Sequence, residues 1–323
     1  MSSPQVEVLL EPDWAAAALV ADVRRGLAQQ PRRLPPKWLY DTAGSDLFDR
    51  ITRLPSYYPT EAERSVLVER AGEIAAASGA TTVVELGSGT SDKTRQLLDA
   101  FAEAGALERF VPVDVSETTL RDAADMLSAR YPDTEVEAIV GDFTLHLGHL
   151  ARYDRKLVVF LGGTIGNLYV EERAAFLGAL SDSMSPSDGL LLGTDLVKDA
   201  DRLIAAYDDP EGVTEEFVKN GLRVLNRELG ADFEPEAFGY VPFWDSRQKR
   251  MDLRLRAEVP QHVRVPGADL EIDLAAGEEI RMEISTKFTR ERIADELAAV
   301  GLTVADQWTD PAGDFAVTLA TKV

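Results

Sequence analysis

Residues 83–94 read Val-Val-Glu-Leu-Gly-Ser-Gly-Thr-Ser-Asp-Lys-Thr. An apolar, β-branched run closes on Gly87 and Gly89, and a helical pattern follows over Ser91–Ala104. Glycines at such a turn let the backbone approach a ligand, and the helix start behind them favours a negative group. A dinucleotide fingerprint needs a third glycine three residues after the second. Asp92 stands there, so a nicotinamide cofactor loses support. No Gly-Lys-Ser/Thr follows the glycines, which excludes a P-loop.

Working outward, the same alternation repeats. Apolar runs at Thr81–Leu86, Phe110–Val115, Val136–Val140, Leu157–Leu161 and Gly189–Leu196 predict strands. Helical patterns at Glu61–Ala77, Glu117–Arg130 and Glu171–Ser183 separate or precede them. This spacing predicts an α/β, Rossmann-like core with a mostly parallel seven-stranded sheet, its strands covered on both faces. A helix over Arg290–Val300 and two strands, Thr303–Trp308 and Phe315–Thr321, flanking the turn at Asp310–Gly313, form its C-terminal antiparallel hairpin. Between 197 and 274 the alternation breaks. A helical stretch gives way to strands of alternating polarity (MDLRLRAEV, HVRV, LEIDL), as expected of strands covered on one face. Upstream, residues 12–30 predict a helix. Residues 31–60 carry five prolines and many aromatics, and are read as irregular, either packed on a domain or serving as a substrate wall. The expected division is a core of 61–197 and 287–323, and an α+β substrate-binding part of 1–60 and 198–286.

Composition bounds the chemistry. The 323 residues hold 34 Lys+Arg against 56 Asp+Glu, a formal net charge of −22, with 45% hydrophobic residues. A globular protein of this charge is no nucleic-acid or anionic-membrane binder. No cysteine is present. Disulfides, thiolate nucleophiles and Cys-ligated metals are therefore out. Of three histidines, His146 and His149 stand three apart, but no carboxylate–histidine cluster completes a metal site, and none is expected. No long apolar segment or basic leader occurs near the N-terminus, so the expectation is a cytoplasmic monomer.

The acidic residues at the strand ends point to a ligand. Asp114 ends the second strand, 27 residues beyond Gly87, where a carboxylate can accept both ribose hydroxyls. Asp142 and Phe143 follow the third, where a carboxylate can meet an exocyclic amine and a ring can pack on a purine. With Glu85 inside the first strand, these suit a neutral adenosine carrying a sulfonium and suit a pyrophosphate badly. Lys93 is placed to pair with that ligand's carboxylate. After the fourth strand, Gly162-Gly163-Thr164-Ile165-Gly166-Asn167 leaves room, and Asn167 offers both a donor and an acceptor.

These segments, together with LPPKWLYD (34–41), PSYYPT (55–60), LLLGTDLVKD (190–199), AAYDD (205–209) and EISTKF (283–288), resemble the L-histidine Nα-methyltransferase family of ergothioneine biosynthesis. That family lies within the class I S-adenosylmethionine-dependent methyltransferases. The resemblance runs from about residue 34 to about 315. It implies that Gly87, Lys93, Asp114, Asp142 and Phe143 hold S-adenosylmethionine, and afterwards S-adenosylhomocysteine. It implies that Asn167 and Tyr207 grip the amino acid's carboxylate end, and that Tyr57, Glu283 and Ser285 grip its imidazole. Tyr40, Phe48, Gly162 and Thr164 would line the pocket near the amine, with Tyr40 helping its deprotonation and Asn167 taking part in catalysis. The implied reaction is stepwise trimethylation of the α-amine of histidine, without a metal. A carboxylate beside hydroxyls satisfies both ring nitrogens of imidazole, whereas indole has only a donor. Two positions depart from the family: Gly163 where Ser is usual, and Leu253 where Met is usual. The alternatives are an N-methyltransferase for another amino acid or an indole-ethylamine, an NAD-dependent oxidoreductase, and a non-catalytic S-adenosylmethionine-binding regulator.

Overall fold

The computed structural model describes residues 4–322. Its contacts divide the chain into two units. One comprises the chain through Leu10, Pro59–Leu196 and everything from Phe288 onward; the other comprises Glu11–Tyr58 and Val197–Lys287.

The first unit is built on an eight-stranded sheet. Its spatial order is Gln5–Val8, Glu135–Val140, Arg109–Asp114, Thr82–Leu86, Lys156–Phe160, Gly189–Asp195, Phe315–Lys322 and Leu302–Thr309. Pairing is parallel up to Gly189–Asp195; Phe315–Lys322 then runs antiparallel to both of its neighbours. Seven of these strands are the expected ones. The eighth corrects the expected grouping of residues 1–60: Gln5–Val8 pairs with Glu135–Val140 and so belongs to the sheet. Four residues of mixed polarity leave too short a pattern to separate from coil. Burial explains why the central strands are apolar throughout. Val83 packs into a core on one face with Phe101 and Phe110, and its neighbour Val84 into a core on the other with Val111 and Phe160, since successive side chains point to opposite faces.

Thr82–Leu86 sits mid-sheet, with the strand that follows it in sequence on one side and Lys156–Phe160 on the other. This is the point where the strand order reverses. Open α/β sheets bind ligands outside the carboxyl ends of the strands at such a point. The chain leaves this unit at Leu196 and re-enters at Phe288. The two residues form a parallel bridge, and the Phe288 amide donates to the Asp195 carbonyl at 2.8 Å.

In the second unit, a four-stranded sheet runs in the order Arg32–Arg33, Glu279–Thr286, Arg250–Ala257, Phe238–Asp245, and a hairpin pairs Gln261–Val265 with Leu270–Leu274. Helices Trp14–Ala28, Thr42–Ile51, Ala200–Tyr207 and Val213–Leu229 belong to the same unit. Its single core includes Leu27, Leu39, Phe217, Leu222, Met251 and Leu255. The helix Thr42–Ile51 corrects the irregular reading of residues 31–60. Asp41 caps it by accepting from the Gly44 amide at 2.8 Å. Asn220, from Val213–Leu229, donates to the same carboxylate at 2.7 Å and to the Leu39 carbonyl at 3.2 Å. One buried amide therefore fixes the segment that carries Tyr40.

Candidate functional site

In the sheet unit the Gly87–Thr94 loop is tied down from both ends. Gly87 and Gly89 take φ of 67° and 50°, the left-handed region that costs glycine little. Asp114 accepts from the Gly89 amide at 2.9 Å and from the Ser116 amide at 2.9 Å, so its carboxylate is oriented toward the loop. Glu85 is buried and accepts from the Ser91 hydroxyl at 2.6 Å and from the Thr94 hydroxyl. Ser91, held by this contact, takes a left-handed φ of 54°, and the helix expected from Ser91 begins only at Arg95, whose amide donates to the Ser91 carbonyl at 3.1 Å. Asp142 is buried and accepts from the amide and hydroxyl of Thr144, at 2.8 and 2.6 Å. The Phe143 ring meets Phe160 and Phe176 edge-on at 5.3 and 5.9 Å. It also lies 3.6 Å from where a Cβ on Gly87 would stand.

The structure adds a residue that sequence reading missed. Glu63, on the helix Pro59–Ser78, is fully buried. It meets the Lys93 ammonium at 2.5 Å and accepts from the Gly162 amide at 2.7 and 3.0 Å. One carboxylate therefore joins the loop after Thr82–Leu86 to the loop after Lys156–Phe160. In the second loop, Gly162 and Gly163 take φ of 79° and 66°, and the 3-10 turn Thr164–Asn167 follows. Thr164 donates to the Leu161 carbonyl at 2.9 Å. A serine at 163 would occupy the left-handed region, and glycine removes that strain. A Cβ there would make only ordinary contact with Phe315, at 3.7 Å.

The second unit assembles the other expected residues. Glu283 and Ser285 lie two apart on Glu279–Thr286, both more than nine-tenths buried, and so share one face of the strand. Leu253 stands directly opposite Glu283 in the register, about 5 Å away between Cβ atoms. The Tyr207 hydroxyl lies 2.9 Å from the Ser285 hydroxyl, which joins the two residues that the resemblance had assigned to opposite ends of the amino acid. The Tyr57 ring meets Tyr207 edge-on at 5.9 Å, and Phe48 stands between Tyr57 and Tyr40, at 6.2 and 5.3 Å. Lys287, missed by sequence reading although it stands inside the quoted EISTKF segment, is fully buried. It donates to both the Tyr207 and Ser285 hydroxyls at 2.8 Å. Tyr40 is 39% exposed overall, but the protein packed around its hydroxyl, and next the charge of Glu283, push that hydroxyl above its ordinary range. Tyr40 therefore keeps its proton at neutral pH and cannot stand ready as a phenolate base.

A family model described as histidine-specific methyltransferase, SAM-dependent, matches residues 19–322. The chain belongs to this family. The histidine N-alpha-methyltransferase of Mycolicibacterium smegmatis is 55% identical, over 97% of this chain and 98% of its own length. That of Mycobacterium tuberculosis is 53% identical over the same shares. Ergothioneine biosynthesis protein 1 of Neurospora crassa is 34% identical, over 62% of this chain and 23% of its own length.

The sheet unit of this histidine-specific methyltransferase fits S-adenosylmethionine on an observation independent of likeness. The Ser88 hydroxyl, between the two glycines, is buried with no hydrogen-bond partner, a state that folded proteins rarely leave unmet. Asp114, Asp142 and Phe143 are the residues that would offer the adenosine acceptors and a ring face, and Lys93, which also meets Glu63, would offer a cation for its carboxylate. Among the described residues no group of three or more His, Asp or Glu is placed to hold a metal ion. Among the described residues no helix is long and apolar enough to cross a membrane.

Burial pushes the Glu85 carboxyl up to about 7, against the lowering effect of the Ser91 and Thr94 hydroxyls. The fold thus favours the protonated form. Its contribution to stability is full below the ordinary carboxyl value of 4.5 and is lost as pH rises through about 7. The term is on the order of 3 kcal/mol. Glu85→Gln, uncharged at every pH, is expected to flatten the fall in Tm between pH 5 and 7.5 by several degrees. Parallel melting curves for the two proteins, read by scanning calorimetry, would refute the assignment.

Proposed function

We propose that this chain transfers three methyl groups, one at a time, to the α-amine of L-histidine, the first step of ergothioneine biosynthesis. The observation that carries the reading is a buried carboxylate, Glu283, two strand positions from Ser285 and in the same unit as Tyr57 and Tyr207. This set offers imidazole an acceptor and hydroxyls at once. The full-length likeness to two histidine N-alpha-methyltransferases supports it. Residues Glu11–Tyr58 and Val197–Lys287 serve as the substrate-binding part, and the sheet unit serves the cofactor. A single chain is the working form, in the cytoplasm; one-chain mass by sedimentation checks the former.

S-adenosylmethionine supplies an electrophilic methyl group. The chain's own work is to hold a neutral amine in line and to let one proton leave before each transfer. No cysteine exists to act as a nucleophile, and positioning alone lowers such barriers by several kcal/mol. With its proton retained, Tyr40 accepts a hydrogen bond at its oxygen and relays the amine's proton outward. Tyr57, Ser285 and Glu283 fix the ring, so a side chain without the matching groups leaves them unpaired.

Incubation with S-adenosylmethionine and each standard amino acid is expected to add one to three methyls to histidine alone, read by mass spectrometry. No gain on histidine would sink the proposal. Glu283→Ala removes a hydrogen bond to a charged group, about 1.5–3 kcal/mol, so the histidine KM should rise roughly 10- to 100-fold. The cofactor Kd should stay within about twofold; equal losses would count against the imidazole role. Tyr40→Phe should lower kcat by about tenfold or more with little change in KM. An unchanged kcat would remove Tyr40 from proton transfer.

A further inference from the structure

We propose that Glu63 shares Lys93 with the carboxylate of the cofactor, so that the site grips the cofactor while its sulfur is charged and loosens once the sulfur is neutral. The inference rests on the reading that Lys93 meets the cofactor's carboxylate.

Everything that holds Glu63 lies in the sheet unit. Its carboxylate meets the Lys93 ammonium at 2.5 Å and accepts from the Gly162 amide at 2.7 and 3.0 Å. It also lies against the bare backbone of Gly193, where an added Cβ would run into it. The Glu63 side chain is 1% exposed, against 27% for Lys93. A ligand can therefore reach the ammonium and not the carboxylate behind it. The ammonium stands over the second loop, 3.6 Å from where a Cβ on Gly162 would be. An ammonium carries three donors. One is taken by Glu63, and the others are left for a ligand. Its single positive charge, however, has to serve both.

The charge count gives this arrangement its consequence. Residues 87–94 and 162–167 contain one basic residue, Lys93. Glu63 and Lys93 together are neutral. A ligand carboxylate on Lys93 adds one net negative charge, and Glu63, held by three contacts out of water, cannot swing away to relieve it. The ammonium and sulfonium of S-adenosylmethionine answer that surplus, and the sulfonium is the part that changes. In the transfer the amine's lone pair forms the new N–C bond, and the pair of the broken S–C bond returns to sulfur. The sulfur is then a neutral thioether, and the attraction of a buried carboxylate for it ends. Asp114 and Asp142 add to the same negative field, but Glu63 is the acid that Lys93 touches. Removing its charge should therefore matter more for a ligand that is cationic at the sulfur position than for one that is neutral there.

The experiment is titration calorimetry of the full chain at neutral pH with two ligands, S-adenosylhomocysteine and sinefungin. Sinefungin carries a protonated amine where S-adenosylmethionine has its methylated sulfur. The two share their adenosine and amino-acid ends, so a general loss of shape at the site cancels in the ratio of their Kd values. Wild-type protein is expected to bind sinefungin the more tightly. Glu63→Gln keeps the volume and an acceptor for the Gly162 amide but drops the charge. The ratio of the S-adenosylhomocysteine Kd to the sinefungin Kd should then fall about three- to tenfold, whereas Glu63→Asp, still charged, keeps most of it. A Glu63 that only holds the loops together would weaken both ligands alike. An unchanged ratio in Glu63→Gln would overturn the proposal. So would wild-type protein that binds S-adenosylhomocysteine as tightly as sinefungin, a result that needs no variant to fold. The Lys93 reading has a separate control. Glu63→Gln with Lys93→Met, uncharged at both positions, should bind S-adenosylhomocysteine about tenfold or more weakly than Glu63→Gln alone. Equal affinity of those two proteins would instead remove the Lys93 reading beneath it.

Discussion

A charge taken out of water has to be met by fixed partners, and this constraint organises both units. In the sheet unit one such charge is Glu63, met by the Lys93 ammonium and the Gly162 amide, and another is Lys156, met by Asp188. In the other, one such charge is Lys287, which has the Tyr207 and Ser285 hydroxyls among its partners. An uncompensated buried ion costs several kcal/mol, so each partner is held where the charge requires it. The loops that follow Thr82–Leu86 and Lys156–Phe160 thus share one anchor, and the strand face that carries Glu283 and Ser285 has another.

The alternation of apolar strands and helices was legible because both faces of the central sheet are covered, which leaves continuous runs such as Leu157–Phe160. Elements resting on one residue's hydrogen bonds were not. Thr42–Ile51 depends on the Asp41 carboxylate meeting Gly44 and Asn220, and the second of these partners is 179 residues away. The delayed start of Arg95–Glu103 has the same character. Ser91, whose hydroxyl is held by Glu85, takes a left-handed φ of 54° that a continuous helix does not keep, and no periodicity records it.

The site divides along the same line. Gly87, Asp114 and Asp142 could be read as a set because their spacing places them at strand ends, a local property. Glu63, Ser88 and Lys287 could not. Glu63 lies in a helix whose pattern explains it equally well as a surface residue, and only the Lys93 and Gly162 contacts give it a role. Lys287 stands four residues from Glu283 within a quoted motif, yet a lysine at a strand end usually reads as solvated. Its complete burial is the deciding fact. The departure at Leu253 gains meaning only from the register that sets it opposite Glu283.

The formal charge of −22 bears on recognition in a way composition alone does not show. A strongly acidic surface raises the local concentration of cations, so it favours the protonated ring of histidine during approach. A carboxylate at the site would add to that preference. Asp252, completely buried, is met by Arg250, Arg254 and Arg281. The interior of this acidic chain thus meets its buried charges with fixed partners, arginines around Asp252 in one unit and Asp188 against Lys156 in the other.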